Sequence, residues 1–167
     1  DDVADGTRYG FHVDGGPRLP DVASRLQPED DDSWSCVATN AFRWTDRDWQ
    51  GVDRFNQVIY QLHIGTFTAA GTWQAAIDRL GHLKALGITM LQLMPVGSFK
   101  GRFGWGYDTI FPYAPYAPYG SADDMRGFVD AAHAQGIGVI LDVVYNHVGI
   151  GDSYRAYSEH YFADHHD

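Results

Sequence analysis

The residue types best placed to do chemistry close the run Asp142-Val143-Val144-Tyr145-Asn146-His147, which continues an apolar stretch beginning at Gly138. An Asp inside apolar β-structure is costly unless it is paired or hydrogen-bonded. Residues 138–144 read as a strand. Strict alternation along it puts Ile140, Asp142 and Val144 on one face and Val139, Leu141 and Val143 on the other. Asn146 and His147 then fall just past its C-terminal end, the end at which ligands bind in parallel α/β folds. One carboxylate, one amide and one imidazole so converge at a rim. The same pattern fits a buried Asp that merely ties neighbouring strands or loops, and spacing leaves both readings open.

The elements that must position these groups repeat. Residues 58–64 read as a strand. Thr72 can cap a helix whose apolar positions Trp73, Ala76, Ile77, Leu80 and Leu83 share one face, with Gly87 closing it. Residues 88–96 form a second apolar strand ending at Pro95, where no ladder donor is needed. A Gly- and Pro-rich loop runs from Gly97 to Gly120. Ser121 can cap a second helix that buries Met125, Phe128, Val129 and Ala132, with Asp123 and Asp124 suiting its first turn and Gly136 closing it. The order is βαβαβ with a parallel sheet, and runs this apolar predict strands buried on both faces. Rossmann-like and barrel architectures both meet that description. No G-x-G-x-x-G follows the first strand, which disfavours a dinucleotide fold.

Residues 1–56 differ in character, being polar and rich in Asp and turn residues. Arg8 to Val13 alternates and predicts one short strand with Tyr9, Phe11 and Val13 on one face. Asp30-Asp31-Asp32 reads as a solvated loop. The 167 residues suffice for one core but not for a whole (β/α)₈ barrel, which takes about 250. A net charge of −10 argues against nucleic acid and anionic membranes, both bound through clustered Lys and Arg, and favours a neutral substrate. Aromatics make up 14% of the chain; rings are platforms for sugars, although core packing is the commoner fate of any one of them. The single cysteine, Cys36, forms no internal disulfide and points to a reducing compartment. The acidic N-terminus has no signal-peptide character, no stretch approaches a membrane span, and a cytoplasmic location is expected.

The motif Asp142 to His147 resembles the first conserved region of the α-amylase superfamily. Trp105-Gly106-Tyr107-Asp108 and Tyr113-Ala114-Pro115 resemble the W-G-Y-D and Y-A-P segments of its trehalohydrolases, branching enzymes and debranching enzymes. Residues 60–67 (YQLHIGTF) resemble the first barrel strand, with Gln61 in place of Glu, and Leu93-Met94-Pro95-Val96 resembles the end of the second. Upstream, residues 9–15, 19–28 and Phe42-Arg43-Trp44 resemble the end of the family's N-terminal β-sandwich and the linker after it. The resemblance is nearest to the malto-oligosyltrehalose trehalohydrolase branch.

It implies a partial (β/α)₈ TIM barrel, with three parallel strands and two helices over 57–167. Before it would come the end of a β-sandwich over 1–15 and a linker over 16–56. It implies that Asp142 holds the sugar at the cleavage site and that His147 hydrogen-bonds the same sugar. Tyr107 would line that pocket, and Asn146, Trp105 and Asp108 complete the expected substrate-binding set. Asn146 matches a calcium ligand of many amylases, but the trehalose-forming branch generally does without calcium, so neither metal nor cofactor is expected. His63 is read as structural.

The substrate implied is an α-1,4-glucan or maltooligosyltrehalose, hydrolysed to release trehalose. Branching or debranching of glucan, a non-catalytic glucan-binding module, and an inert fragment are the alternatives. Retaining glycosidases need two carboxyls about 5–5.5 Å apart. The family's nucleophile follows its fourth strand in a G-x-R-x-D pattern and its acid follows the fifth. Neither matches Asp152, Glu159, Asp164 or Asp167, so no catalytic residue is assigned and the chain is expected to be inactive alone. His160, Asp164, His165 and His166 match no tight zinc motif and read as a solvated tail. An open three-stranded sheet would expose apolar edges, so self-association or a distorted barrel face is expected.

Overall fold

The structure is a computed structural model and describes residues 3–28, 33–149 and 154–157. The acidic run at 30–32, the acids from Asp152 onward and the histidine tail lie outside the described residues. The N-terminal part holds short antiparallel pairs. β1 (Arg8–Tyr9) pairs with β4 (Ser35–Cys36), and β2 (Phe11–His12) pairs with β3 (Arg18–Leu19). The single strand expected over 8–13 is thus two, broken at Gly10, where Arg18 packs close enough to leave no room for a Cβ. Its partners come from the stretch read as a linker. Tyr9 donates to Asp21 at 2.6 Å, so the first turn of that stretch is tied back to β1.

Beyond residue 57 the expected βαβαβ order appears with further elements added: β5 (Ile59–Leu62), α1 (Ile64–Phe67), α2 (Trp73–Ile77), α3 (Leu80–Ala85), β6 (Met90–Leu93), β7 (Gly97–Phe99), β8 (Thr109–Pro115), α4 (Ala122–Ala134), β9 (Gly138–Leu141) and α5 (Tyr154–Tyr157). β5, β6 and β9 form a parallel sheet with β6 in the middle. Register sets Tyr60, Leu91 and Val139 side by side, then Gln61, Gln92 and Ile140, then Leu62, Leu93 and Leu141. The first and third rows face the helices, where Leu62, Leu91, Leu93 and Val139 meet Trp73, Ala76, Leu80, Leu83, Phe128 and Ala132. Each fully buried Leu or Phe there stabilises the fold by about 1.5–3 kcal/mol. The middle row faces the open side, and Gln61 and Ile140 are exposed. Burial on both faces is therefore not what the described residues show; it holds for the helix side alone.

All three strands are shorter than the sequence predicts. The ladder ends where Met94 N–H donates to Leu62 O and Asp142 N–H donates to Leu93 O, both at 3.0 Å. The next residue of the middle strand is Pro95, which has no N–H to carry the pairing on. Asp142 consequently sits one residue beyond β9 rather than inside it.

The first helix is also broken. Thr72 caps it as expected, its hydroxyl accepting from Ala75 N–H. At Asp78–Arg79 the chain tightens, with Arg79 N–H donating to Ala76 O, and then restarts as α3. The buried positions Trp73, Ala76, Leu80 and Leu83 carry the same face through the break. α4 begins in a full capping box: Ser121 accepts from Asp124 N–H while the Asp124 carboxylate accepts from Ser121 N–H. Gly87 and Gly136 leave their helices at positive φ, as closing residues should.

Two features were not foreseen. The loop after β6 contains the irregular antiparallel hairpin β7–β8. The segment Thr45–Trp49 is strapped to α4. Thr45 donates twice to the Asp130 carboxylate (N–H at 2.9 Å, Oγ1 at 2.6 Å), Asp46 meets His133 at 2.6 Å, and Trp49 stacks on the His133 ring at 4.3 Å. Among the described residues no helix is long and apolar enough to cross a membrane.

Candidate functional site

The site lies where the loop after β6 meets the segment after β9, at the C-terminal edge of the parallel sheet. Its geometry begins with a glycine. Gly106 has φ 88°, and a Cβ there would lie 2.0 Å from the Pro95 carbonyl oxygen. Only glycine lets the 105–108 turn rest on the end of β6. Thr109 Oγ1 donates to Gly106 O at 2.6 Å and fixes the turn from the other side. Tyr107 is thereby aimed across to β9, and its hydroxyl donates to Asp142 Oδ2 at 3.0 Å. The hydrogen bond to Asp142, helped by partial burial and the carboxylate's charge, raises the Tyr107 pKa above the ordinary 10.0.

The segment after β9 folds back along the same turn. His147 Nε2 donates to the Tyr107 carbonyl at 2.8 Å, and Gly149 N–H donates to Thr109 O at 2.9 Å. A Cβ at Gly149 would lie 2.2 Å from the Asp108 carbonyl oxygen, so this closure also depends on glycine. With Nε2 carrying its proton toward a carbonyl, Nδ1 of a neutral His147 is left as an acceptor. Asp142, Tyr107 and His147 thus form one connected unit in which only one oxygen of the carboxylate is used by Tyr107.

Two hollows adjoin this unit, Asp142 bordering one and His147 the other, while Tyr107 borders neither. A slot of about 30 Å³ runs beside Asp142 between Pro95 and Tyr145. An open hollow of about 550 Å³ is bordered by Asn146, His147, Tyr145 and Tyr113. Tyr145, 71% exposed, borders both. It stands inside the motif, yet nothing in the sequence pattern singled it out; an aromatic between the carboxylate and the imidazole was the available signal. Among the described residues that border these two hollows, Asp142 is the one carboxylate.

The remaining expected residues sit apart. Trp105 borders a different hollow of about 460 Å³ with His63, Phe103 and Tyr119. Asp108 is exposed on the rim and meets the site through its main chain. His63 is held on every side: Nε2 lies 2.9 Å from Gly104 O and 3.0 Å from Tyr119 Oη, and Nδ1 lies 3.2 Å from Thr66 Oγ1. Its ring anchors the loop that carries Trp105.

Residues 31–166 match the family model described as alpha amylase, catalytic domain. A malto-oligosyltrehalose trehalohydrolase of Deinococcus radiodurans is 47% identical over 164 residues, covering 97% of this chain and 27% of that protein. The enzyme of the same name from Saccharolobus solfataricus is 43% identical over 164 residues, covering 98% of this chain and 29% of its own length. A crystal structure described as an alpha amylase of Salmonella typhimurium superposes with a TM-score of 0.93 at 40% identity, over 99% of this chain and 29% of that one. The chain therefore spans under a third of the length of the relatives it matches.

Proposed function

The chain belongs to the family of α-amylase catalytic domains, and from that premise we propose that it forms the sugar-gripping opening of a glycoside hydrolase barrel acting on maltooligosyltrehalose, with release of trehalose. The observation that carries this reading is the hydrogen-bonded unit of Asp142, Tyr107 and His147 at the C-terminal edge of the parallel sheet. The second oxygen of Asp142 accepts from a sugar hydroxyl. His147 Nδ1 accepts from another, and the Tyr107 ring offers a flat face to the C–H face of the glucose. Asn146, on the adjoining hollow, both donates and accepts. Trp105 and Asp108 are outlying contacts in this reading.

A retaining hydrolase needs a second carboxyl about 5–5.5 Å from the first. The described hollows offer Asp142 alone, already engaged by Tyr107. These residues therefore grip the sugar, and the bond-breaking carboxylates are supplied by other residues than those described. The three parallel strands and the likeness to α-amylase domains support a (β/α)₈ setting for them.

Incubating the 167-residue chain with maltooligosyltrehalose while titrating maltodextrin by calorimetry tests both halves of the reading. The expected result is binding without trehalose release, weakened about tenfold by Asp142→Ala. Trehalose release by the chain alone would place the cleaving groups among these residues. Absence of binding would remove the gripping role. If a longer protein containing the chain built α-1,6 branches from amylose, branching would replace trehalose release as the activity.

A further inference from the structure

A further hollow, of about 260 Å³, is bordered by Tyr113, by Trp44 just before the strapped segment, and by the first turns of α4. Trp44, Tyr113, Met125 and Val129 line it together with Arg25 and Arg126. Trp44 is 43% exposed and Tyr113 58% exposed, and each stands on an anchored stretch of chain. Phe42 packs edge-on against Trp44 at 5.0 Å, and the next residue, Thr45, is bolted to α4 through Asp130. Tyr113 projects outward from β8 directly before Ala114, which is wholly buried. Tyr113 also borders the hollow of Asn146 and His147, so the two depressions share a wall.

The chemistry of this hollow selects its occupant. Its volume falls just under the roughly 300–1,000 Å³ of ordinary ligand clefts, which suits about one or two sugar rings rather than a protein element. An anion is disfavoured, because Arg126 is paired with Asp123 and Arg25 donates to the Ala38 carbonyl, in a chain of net charge −10. What remains is two exposed aromatic rings, Trp44 held edge-on by Phe42, with guanidinium donors lining the same hollow, which matches a neutral sugar presenting a C–H face and hydroxyl oxygens. We infer that Trp44 and Tyr113 form a distal subsite that holds a further stretch of the same α-glucan chain gripped at Asp142 and His147. This rests on the proposed glucan-binding role of that site.

The test compares calorimetric titrations of the protein with maltoheptaose and with maltose, for the unaltered chain, Trp44→Ala and Trp44→Phe. The unaltered chain is expected to bind maltoheptaose more tightly than maltose. Trp44→Ala should lower affinity for maltoheptaose roughly two- to tenfold, leave maltose unchanged, and be largely restored by Trp44→Phe. In the unaltered protein the Trp44 indole N–H resonance should shift with maltoheptaose and not with maltose, which decides the matter even if Trp44→Ala fails to fold. An unchanged preference in folded Trp44→Ala, or a still Trp44 resonance at saturating maltoheptaose, overturns the subsite and leaves the gripping role intact. If neither sugar binds, the gripping role itself falls, and the subsite with it.

Discussion

At the scale of single residues, the site is set by groups that act on one another without any ligand. Tyr107 donates to Asp142, and that bond favours the neutral phenol. Asp142→Asn should therefore bring the Tyr107 pKa back down toward 10.0, a change that NMR of ring-labelled tyrosine reads directly. If the resonance titrates identically in the variant, the two side chains are not bonded. Tyr119 illustrates the same physics in the core. Burial, with a smaller contribution from neighbouring Tyr116, pushes its pKa up to about 12. A phenol whose folded pKa lies above its unfolded value stabilises the fold fully below the unfolded value, and that stability is lost as pH rises through the folded one. Thermal melts should hence be flat up to about pH 10 and fall steeply toward pH 12. Tyr119→Phe should soften that fall while costing about 1 kcal/mol at neutral pH through the contact with His63. Tyr9, also raised to about 12, keeps part of the slope in the variant. The sequence displayed Asp142, Asn146 and His147 as a set because they lie within one six-residue motif. It could not display that His147 is held by the main chain of Tyr107, since a backbone carbonyl leaves no mark on residue type.

At the scale of elements, what local chemistry decides was legible and what distant partners decide was not. The caps at Thr72 and Ser121 and the closing glycines Gly87 and Gly136 stand where hydroxyls and glycines predict them, because capping is settled within about one turn. Strand ends were misread because they are set across the sheet: Pro95 lacks the N–H that would carry pairing on to the chain after β9, and apolar residues continue regardless. The β7–β8 hairpin was hidden under a Gly- and Pro-rich composition that reads as loop. The strap from Thr45 to Trp49 joins residues 84 or more positions away in sequence. That strap makes a prediction about acid. The Thr45 hydroxyl, foremost, holds the Asp130 carboxyl below its ordinary 3.8. A carboxyl lowered on folding stabilises the fold above its unfolded pKa and surrenders that stability as pH falls through the folded one. Lowering the pH below about 4 should free residues 45–49 before the helices melt, seen as faster amide exchange at Thr45. Asp130→Ala should show that faster exchange already at neutral pH, with Trp49 fluorescence moving toward that of exposed indole. Protection of Thr45 that is unchanged in the variant would mean the strap is held by other contacts.

At the scale of the whole molecule, the described residues cover the sheet on one side only. Trp73, Leu80, Leu83 and Phe128 bury the helix face, while the opposite face presents Ile59 at 53% exposure and Ile140 at 36%. Among the described residues β5 and β9 are both edges, and Val58, Leu141 and Val143 add apolar surface along them. An exposed strand edge carries unpaired N–H and C=O groups, and flanking apolar side chains make it a template for another strand. The net charge of −10 opposes association, but it acts through water and is screened by salt within about 8–10 Å, whereas edge pairing is a contact interaction. Contact should prevail once salt is present. We therefore expect the weight-average mass in sedimentation experiments to rise with concentration and to rise further between low and physiological salt, with a hydrophobic dye bound to the open face. Replacing Ile59 and Ile140 together by Lys places two charges on the open face without touching the helix side. That double variant should bind less dye and sediment closer to the 18.6 kDa monomer while keeping its helical circular dichroism. A dye-free monomer at every concentration and salt would mean that the open face is shielded by the chain itself.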